Sequence, residues 1–404
     1  MNIKPRIFIH MHYLEIGGAE SALIGLLQSL DPGKVDVDLF LNEHRGEMMR
    51  YIPEWVNLLP TKNSYSMIER PMIEAVKKFQ FGIVVGRLLA KVRFTVYNKK
   101  RQPKDKSAIF GYVGKYVNPF LPFLKKLGKY DLAISFLTPH NIVLRKIEAR
   151  KKICWIHTDY SSVDINVDLE LPVWSGYDNI VSISPAVTES FVNRFPSLAP
   201  KIIEIENLLP EVVISERAKE FLPEEYKKES SVLNLLTIGR YCEAKNIDSV
   251  PEIARRLLDK GIVLHWFVIG YGDESELEKI KEAIKKNKME EHVILLGKKE
   301  NPYPYIKACD WYVQPSRYEG KSIAVREAQL LGKPVIITNY PTAKSQVNHG
   351  VDGMIVPLET ASCADAMAGI LKDNDLKMRL ELTEGRSTGL NDTVALFYGL
   401  IDEL

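Results

Sequence analysis

Gln314-Pro315-Ser316-Arg317-Tyr318-Glu319-Gly320-Lys321-Ser322 follows a short apolar run and precedes an amphipathic stretch holding Arg326, Glu327 and Ala328. The run Trp311–Gln314 has the length and composition of a buried strand, and Gly320 marks a tight turn. The spacing beyond the turn predicts a helix from near Lys321. Backbone N–H groups at a helix start lack partners within the helix and can bind hydroxyl oxygens or phosphate. Glu319 stands just before this helix and Glu327 about two turns into it. Two carboxylates so placed can hold hydroxyls on two parts of one ligand, such as a hexose and a ribose. Taken alone, Glu327 reads better as a helix-surface acid. Gly320-Lys321-Ser322 also imitates the end of a phosphate loop, but that loop requires glycine where this chain has Pro315.

Outward from this segment the same alternation of strand and helix fills the chain, which predicts an α/β protein with parallel sheets. The first half offers strand candidates at Arg6–His10, Val35–Leu41, Val56–Leu59, Asp131–Phe136, Ile153–His157, Ile180–Ser184 and Ile202–Glu206. The pattern restarts at Leu233–Gly239 and continues at His265–Gly270, Val293–Gly297, Trp311–Gln314, Pro334–Thr338 and Met354–Val356. Their Val, Ile and Leu content suits strands covered on both faces. Two Rossmann-like domains follow as the expectation, 1–209 and 232–390, joined by a charged linker over 210–231. A last amphipathic helix, 391–404, is expected to return to the first domain through Leu396, Phe397, Leu400 and Ile401. Two open sheets of this kind bind ligands at the carboxyl ends of their strands.

Three further clusters sit at predicted strand ends. Gly239-Arg240-Tyr241-Cys242-Glu243-Ala244-Lys245-Asn246 follows the first strand of the second domain, and Arg240 with Lys245 supplies two cations able to neutralise a diphosphate. A structural salt bridge is the competing reading. Gly17-Gly18, between the first strand and its helix, permits close backbone approach and favours an anion. Gly270-Tyr271-Gly272-Asp273-Glu274-Ser275 begins like a dinucleotide fingerprint but lacks its third glycine, and reads as a strand-to-helix turn.

The stretch 63–129 departs from this alternation and reads as a basic helical insertion. Between Lys77 and Lys129 stand fourteen lysines and arginines against one acid, Asp105, with nine Phe and Tyr residues among them. Such a segment suits an anionic membrane surface; the alternative is a solvated basic face whose aromatics lie in the core. No recognition module for nucleic acid accompanies the charge.

Composition narrows the classes further. The 404 residues are 46% hydrophobic and 26% charged, which is globular, with a net charge of only +2. Cys154, Cys242, Cys309 and Cys363 lie far apart and read as packing thiols. The apolar run Ile7–Ile9 is too short for a signal peptide, and no run reaches the roughly 18 apolar residues of a membrane span. The expected location is cytoplasmic, peripheral at the inner face of the cell membrane.

Taken in order, these segments resemble the family-4 retaining glycosyltransferases of the GT-B fold. The resemblance rests on Gly17-Gly18, on Arg240 with Lys245, and on the E-x7-E pair Glu319 and Glu327. It is closest from Leu233 to Pro357. It implies transfer of a hexose from a nucleotide-sugar, with UDP the commonest carrier, to a lipid-linked or other saccharide acceptor of capsule or exopolysaccharide synthesis. Glu319 would contact the donor sugar with the amides of Gly320, Lys321 and Ser322, and Glu327 the ribose. Arg240 and Lys245 would bind the diphosphate, His157 would lie near sugar and acceptor, and the backbone at Gly297-Lys298 would seat the base. No metal or cofactor is expected, the nucleotide-sugar being a co-substrate. Lys321 departs from the apolar residue common there. A soluble acceptor and a non-catalytic nucleotide-binding module remain open alternatives.

Overall fold

The computed structural model describes residues 4–101, 106–161, 163–226, 232–319, 322–381 and 390–402. The chain divides into two units, Met1–Pro210 with Gly389–Leu404, and Glu211–Thr388.

In the first unit β1 (Arg6–Met11), β2 (Asp36–Leu41), β3 (Asn57–Leu58), β4 (Lys129–Ser135), β5 (Glu148–Ile156), β6 (Asn179–Ser182) and β7 (Ile202–Glu204) form one parallel sheet. Its order is β3-β2-β1-β4-β5-β6-β7. Successive residues Ile7, Phe8 and Ile9 are all fully buried, as a strand covered on both faces requires. The helix Gly18–Ser29 then runs back so close to the chain that a Cβ on Gly25 would lie 2.1 Å from the Leu208 carbonyl oxygen.

In the second unit β8 (Leu233–Ile238), β9 (Leu264–Ile269), β10 (Val293–Gly297), β11 (Trp311–Gln314), β12 (Val335–Thr338) and β13 (Met354–Val356) are again all parallel, in the order β10-β9-β8-β11-β12-β13. Both sheets therefore reverse direction of growth beside their first strand, between β1 and β4 and between β8 and β11. Such a switch point opens a crevice at the carboxyl ends of the strands. The two Rossmann-like halves make this an α/β protein of the GT-B class, and each predicted strand has its counterpart.

Two expectations need correction. The stretch read as a linker begins with a helix, Glu211–Arg217, whose Val213, Ile214 and Arg217 are buried in the second unit. Arg217 donates to the Glu300 carbonyl, and Asn301 donates to that of Arg217. The charges dominated the reading of this segment, while Val213 and Ile214 decide its packing. The last helix, Leu390–Asp402, buries Phe397, Leu400 and Ile401 in the first unit, where Phe397 meets Trp155, but Leu396 is 52% exposed.

The basic insertion is helical, with Met72–Lys77, Phe81–Arg101 and Ile109–Val117 as its main helices. The last two close on a small core of their own, Ala90 and Phe94 against Ala108 and Tyr112. Gly86 allows this approach, since a Cβ there would stand 2.6 Å from the Tyr116 carbonyl oxygen. The aromatics split between the two readings: Phe94 and Tyr112 are core, while Phe79, Phe81, Phe110, Phe120 and Phe123 are exposed.

Candidate functional site

At the carboxyl end of β11 a polar residue, Gln314, is fully buried. Its burial is sustained by hydrogen bonds: Tyr312 Oη donates to Oε1 at 2.7 Å, and Nε2 donates to Ser316 Oγ at 2.9 Å. The same Nε2 reaches Glu319 Oε1 at 3.2 Å, where Ser316 Oγ donates at 2.7 Å and Lys245 Nζ at 2.5 Å. Glu319 is 8% exposed, so its charge is balanced by a cation and fixed by neutral donors. All three donors fall on Oε1, and among the described residues none falls on Oε2.

Lys245 reaches this carboxylate because two loops are bolted together. Asn246 takes a left-handed backbone, φ 55°, and its Nδ2 donates to the Pro315 carbonyl at 2.9 Å. The Arg317 amide donates to Ala244 O, and its guanidinium grips both oxygens of Asp248 at 3.0 and 2.9 Å. Behind them, a Cβ on Gly270 would fall 1.9 Å from the Gly239 carbonyl oxygen, so this crossing requires glycine. Gly270–Ser275 is the predicted strand-to-helix turn, and Asp273 caps the helix Glu274–Lys286 by accepting from the Glu276 amide.

Arg240 is exposed and has no partner among the described residues. Glu327 lies in the helix Ile323–Leu330 and accepts from Tyr303 Oη at 3.0 Å; no hydrogen bond among the described residues joins it to the Glu319 network. Withdrawal from water raises its carboxyl to about 7, against the opposing pull of the Tyr303 bond and the Arg326 charge. The Ser322 amide is not the free donor expected of a helix start. It donates to Gln346 Oε1 at 3.1 Å, and Gln346 Nε2 returns a bond to Ser322 O at 2.6 Å. Gly320 and Lys321 lie outside the described residues. Lys298 is exposed with Nζ 5.5 Å from the centre of the Tyr271 ring, after Gly297 at φ 68°. Gln314, Ser316, Tyr303 and Gln346 were given no role from sequence. Gln314 and Ser316 flank Pro315 in the quoted segment, and a buried polar pair at a strand end was the available signal.

In the first unit, Gly17 is extended and Gly18 opens the helix Gly18–Ser29. A Cβ on Gly18 would meet nothing within 4 Å, so internal packing does not demand glycine there. His157 follows β5, and its ring packs against Phe136, whose backbone also interacts with the imidazole. Burial lowers its pKa to about 4, leaving a neutral imidazole at pH 7. Sequence reading missed three other histidines at the same strand ends. His10 bonds Asn42 at 3.0 Å and is lowered by burial to about 3; His140 bonds Ser135 at 2.8 Å and is also lowered by burial. His12 meets Glu69 at 2.7 Å. His10 and His12, two apart at the end of the first strand run, were the signal.

Residues 218–385 match the family described as glycosyl transferases group 1, and they contain Arg240, Lys245, Lys298, Glu319 and Glu327. This stretch, somewhat under half of the chain, is what resembles a group 1 glycosyl transferase domain. Among curated relatives of the chain, the amylovoran biosynthesis glycosyltransferase AmsK of Erwinia amylovora is 31% identical over 34% of this chain and 35% of its own length. The UDP-Gal:alpha-D-GlcNAc-diphosphoundecaprenol alpha-1,3-galactosyltransferase of Escherichia coli is 24% identical over 45% and 46%. The chain thus spans less than half the length of these two relatives. Among solved structures, Anabaena HepE in complex with UDP and glucose superposes with a TM-score of 0.61 at 13% identity, over 99% of this chain and 100% of that one. TarM gives 0.60 at 13% identity, over 99% of both chains. At these identities the likeness establishes the shared two-domain fold, with the group 1 domain as its second half.

Proposed function

We propose that this chain moves a hexose from a nucleotide-sugar, UDP-sugars being the first candidates, to a lipid-linked saccharide during synthesis of capsule or a related glycan. The reaction proceeds with retention at the anomeric carbon and without a metal. The observation that carries the reading is Glu319, with one oxygen saturated by Lys245, Ser316 and Gln314 and no donor to the other among the described residues, where the proposal puts a sugar hydroxyl. The named donor and acceptor of the Escherichia coli relative, and the UDP and glucose held by HepE, are in keeping with it.

In the proposed step the acceptor oxygen bonds to the anomeric carbon on the face from which the diphosphate leaves. The carbon–oxygen bond to phosphate breaks with its electron pair, and the acceptor proton passes to the departing phosphate oxygen. Arg240 and Lys245 stabilise the negative charge that develops there. Glu319 fixes the sugar, Glu327 takes the ribose hydroxyls, and the backbone at Gly297-Lys298 takes the base. His157, neutral at pH 7, is assigned to a hydroxyl of sugar or acceptor. The insertion brings the chain to the cytoplasmic face of an anionic membrane. No described helix is long and apolar enough to cross one.

The test is a thermal-shift screen against UDP, GDP, ADP and their sugar conjugates. Ligand at a hundredfold excess over its dissociation constant adds about 2.7 kcal/mol to the native state. A shift with one nucleotide series is expected; no shift from well-folded protein sinks the proposal.

A further inference from the structure

The helix Phe81–Arg101 presents two apolar strips. One packs into the insertion's own core through Ala90 and Phe94. A second, Phe81, Val85, Leu88, Leu89, Val92 and Val96, recurs in helical steps of three and four, yet these side chains are 44% to 60% exposed. Between the two runs a groove of about 740 Å³, which reaches Ile109 and Val113 on the neighbouring helix.

The lining combines two chemistries. Phe94, Ile109 and Val113 make part of it apolar, while Arg87, Lys91, Lys99 and Lys106 bring positive charge and, among the described residues, no acid lines it. Arg87 is anchored, donating to the carbonyls of Met67 and Arg70. Lys91, Lys99 and Lys106 have no carboxylate partner among the described residues. Four cations beside an apolar wall describe a receptor for an anion with a hydrophobic continuation.

We propose that this groove binds the phosphate-bearing head of a polyprenyl phosphate or diphosphate lipid while the neighbouring apolar strip lies in the bilayer surface. The inference rests on the membrane-acceptor reading above and deepens it by assigning the acceptor lipid a site. Charge favours this occupant over an ordinary phospholipid. The diphosphate that joins a saccharide to a polyprenyl chain carries two negative charges for the three lysines that lack a carboxylate partner among the described residues, whereas a phosphodiester carries one. A free phosphate has no use for the apolar wall or for the strip along which a prenyl chain would continue.

The test floats the full chain on three sets of vesicles: phosphatidylcholine alone, with phosphatidylglycerol, and with polyprenyl diphosphate at matched surface charge. The parent protein is expected to bind the polyprenyl vesicles about tenfold more tightly than the phosphatidylglycerol ones. The variant K91Q/K99Q/K106Q loses that preference, and K77Q/K78Q/K126Q, with the same charge removed outside the groove, keeps it. Melting temperatures check that both variants fold. Equal loss in the two variants, or no preference in the parent, overturns the groove assignment. If nucleotide shifts persist while the lipid preference is absent, the groove alone is wrong. If no vesicle is bound at all, the membrane reading fails with it.

Discussion

The carboxyl ends of the two sheets share a topology and differ in chemistry. Beyond β8 and β11 the side chains are charged and bonded to one another: Lys245 to Glu319, Arg317 to Asp248, Ser316 and Gln314 to the same carboxylate. In the first unit the corresponding strand ends and the loop after β4 carry histidines, and burial holds His10, His140 and His157 neutral. A preorganised ionic network keeps its cations in place and spends no reorganisation when a phosphate leaves. Neutral imidazoles exchange hydrogen bonds with hydroxyls and carry no fixed charge. The same strand-end topology thus carries an ionic network in one unit and neutral imidazoles in the other.

The contrast breaks most visibly at Lys245. If its ammonium stabilises the leaving group, Lys245→Ala lowers kcat on the order of a hundredfold to a thousandfold. If it only steadies Glu319, nucleotide affinity and sugar specificity change while kcat stays within a few fold. Measuring release of the nucleoside diphosphate at saturating donor separates the two.

His157 tests the other end through pH. Its folded pKa near 4 lies below the ordinary 6.5, so the unfolded chain takes up the proton first. The stability that the neutral ring contributes is complete above about pH 6.5 and is lost progressively as pH falls toward 4. Glu170 opposes it: burial raises that carboxyl to about 7, and its contribution is lost as pH rises from the ordinary 4.5 through 7. Comparing His157→Gln with the parent cancels the opposing term. Between pH 7.5 and pH 5 the parent should lose about 2 kcal/mol more than the variant in urea melts. Equal slopes would show that the ring is not held neutral.

Glu327 gives a smaller effect. A carboxyl near 7 must ionise to accept two ribose hydroxyls, so nucleotide affinity should rise between pH 6 and 8. Calorimetry in two buffers should find a proton released on binding. Glu327→Gln should weaken binding about tenfold and release less. An unchanged dissociation constant would remove Glu327 from the ribose.

Much of this was legible in the chain because strands covered on both faces leave continuous apolar runs, and the residues after each run must lie at strand ends. That is why Lys245 and Glu319, 74 positions apart, could be placed in one unit before any contact was known. What escaped was whatever tertiary contact decides. Nothing local shows that Gln346 occupies the Ser322 amide, that Val213 and Ile214 fold a charged segment into the second unit, or that Leu396 turns outward while Phe397 is buried. The histidines escaped for another reason: a lone imidazole in an apolar run reads as core until its neighbours are known.

The insertion sharpens the comparison at its weakest point, since composition alone could not tell a solvated basic face from a docking surface. The side chains settle which residues are presented: Leu88 and Val92 face outward although ordinary packing would bury them. Apolar residues at a membrane interface contribute by leaving water, and lysines by attraction to anionic lipid, so the two respond oppositely to salt. Leu88→Gln with Val92→Gln should lower partition to anionic vesicles roughly fivefold, a loss that persists at high salt. K77Q/K78Q should lose a similar amount at low salt and little at high salt. If the apolar pair is silent at every salt concentration, the strip does not enter the bilayer, and attraction to the insertion is electrostatic only.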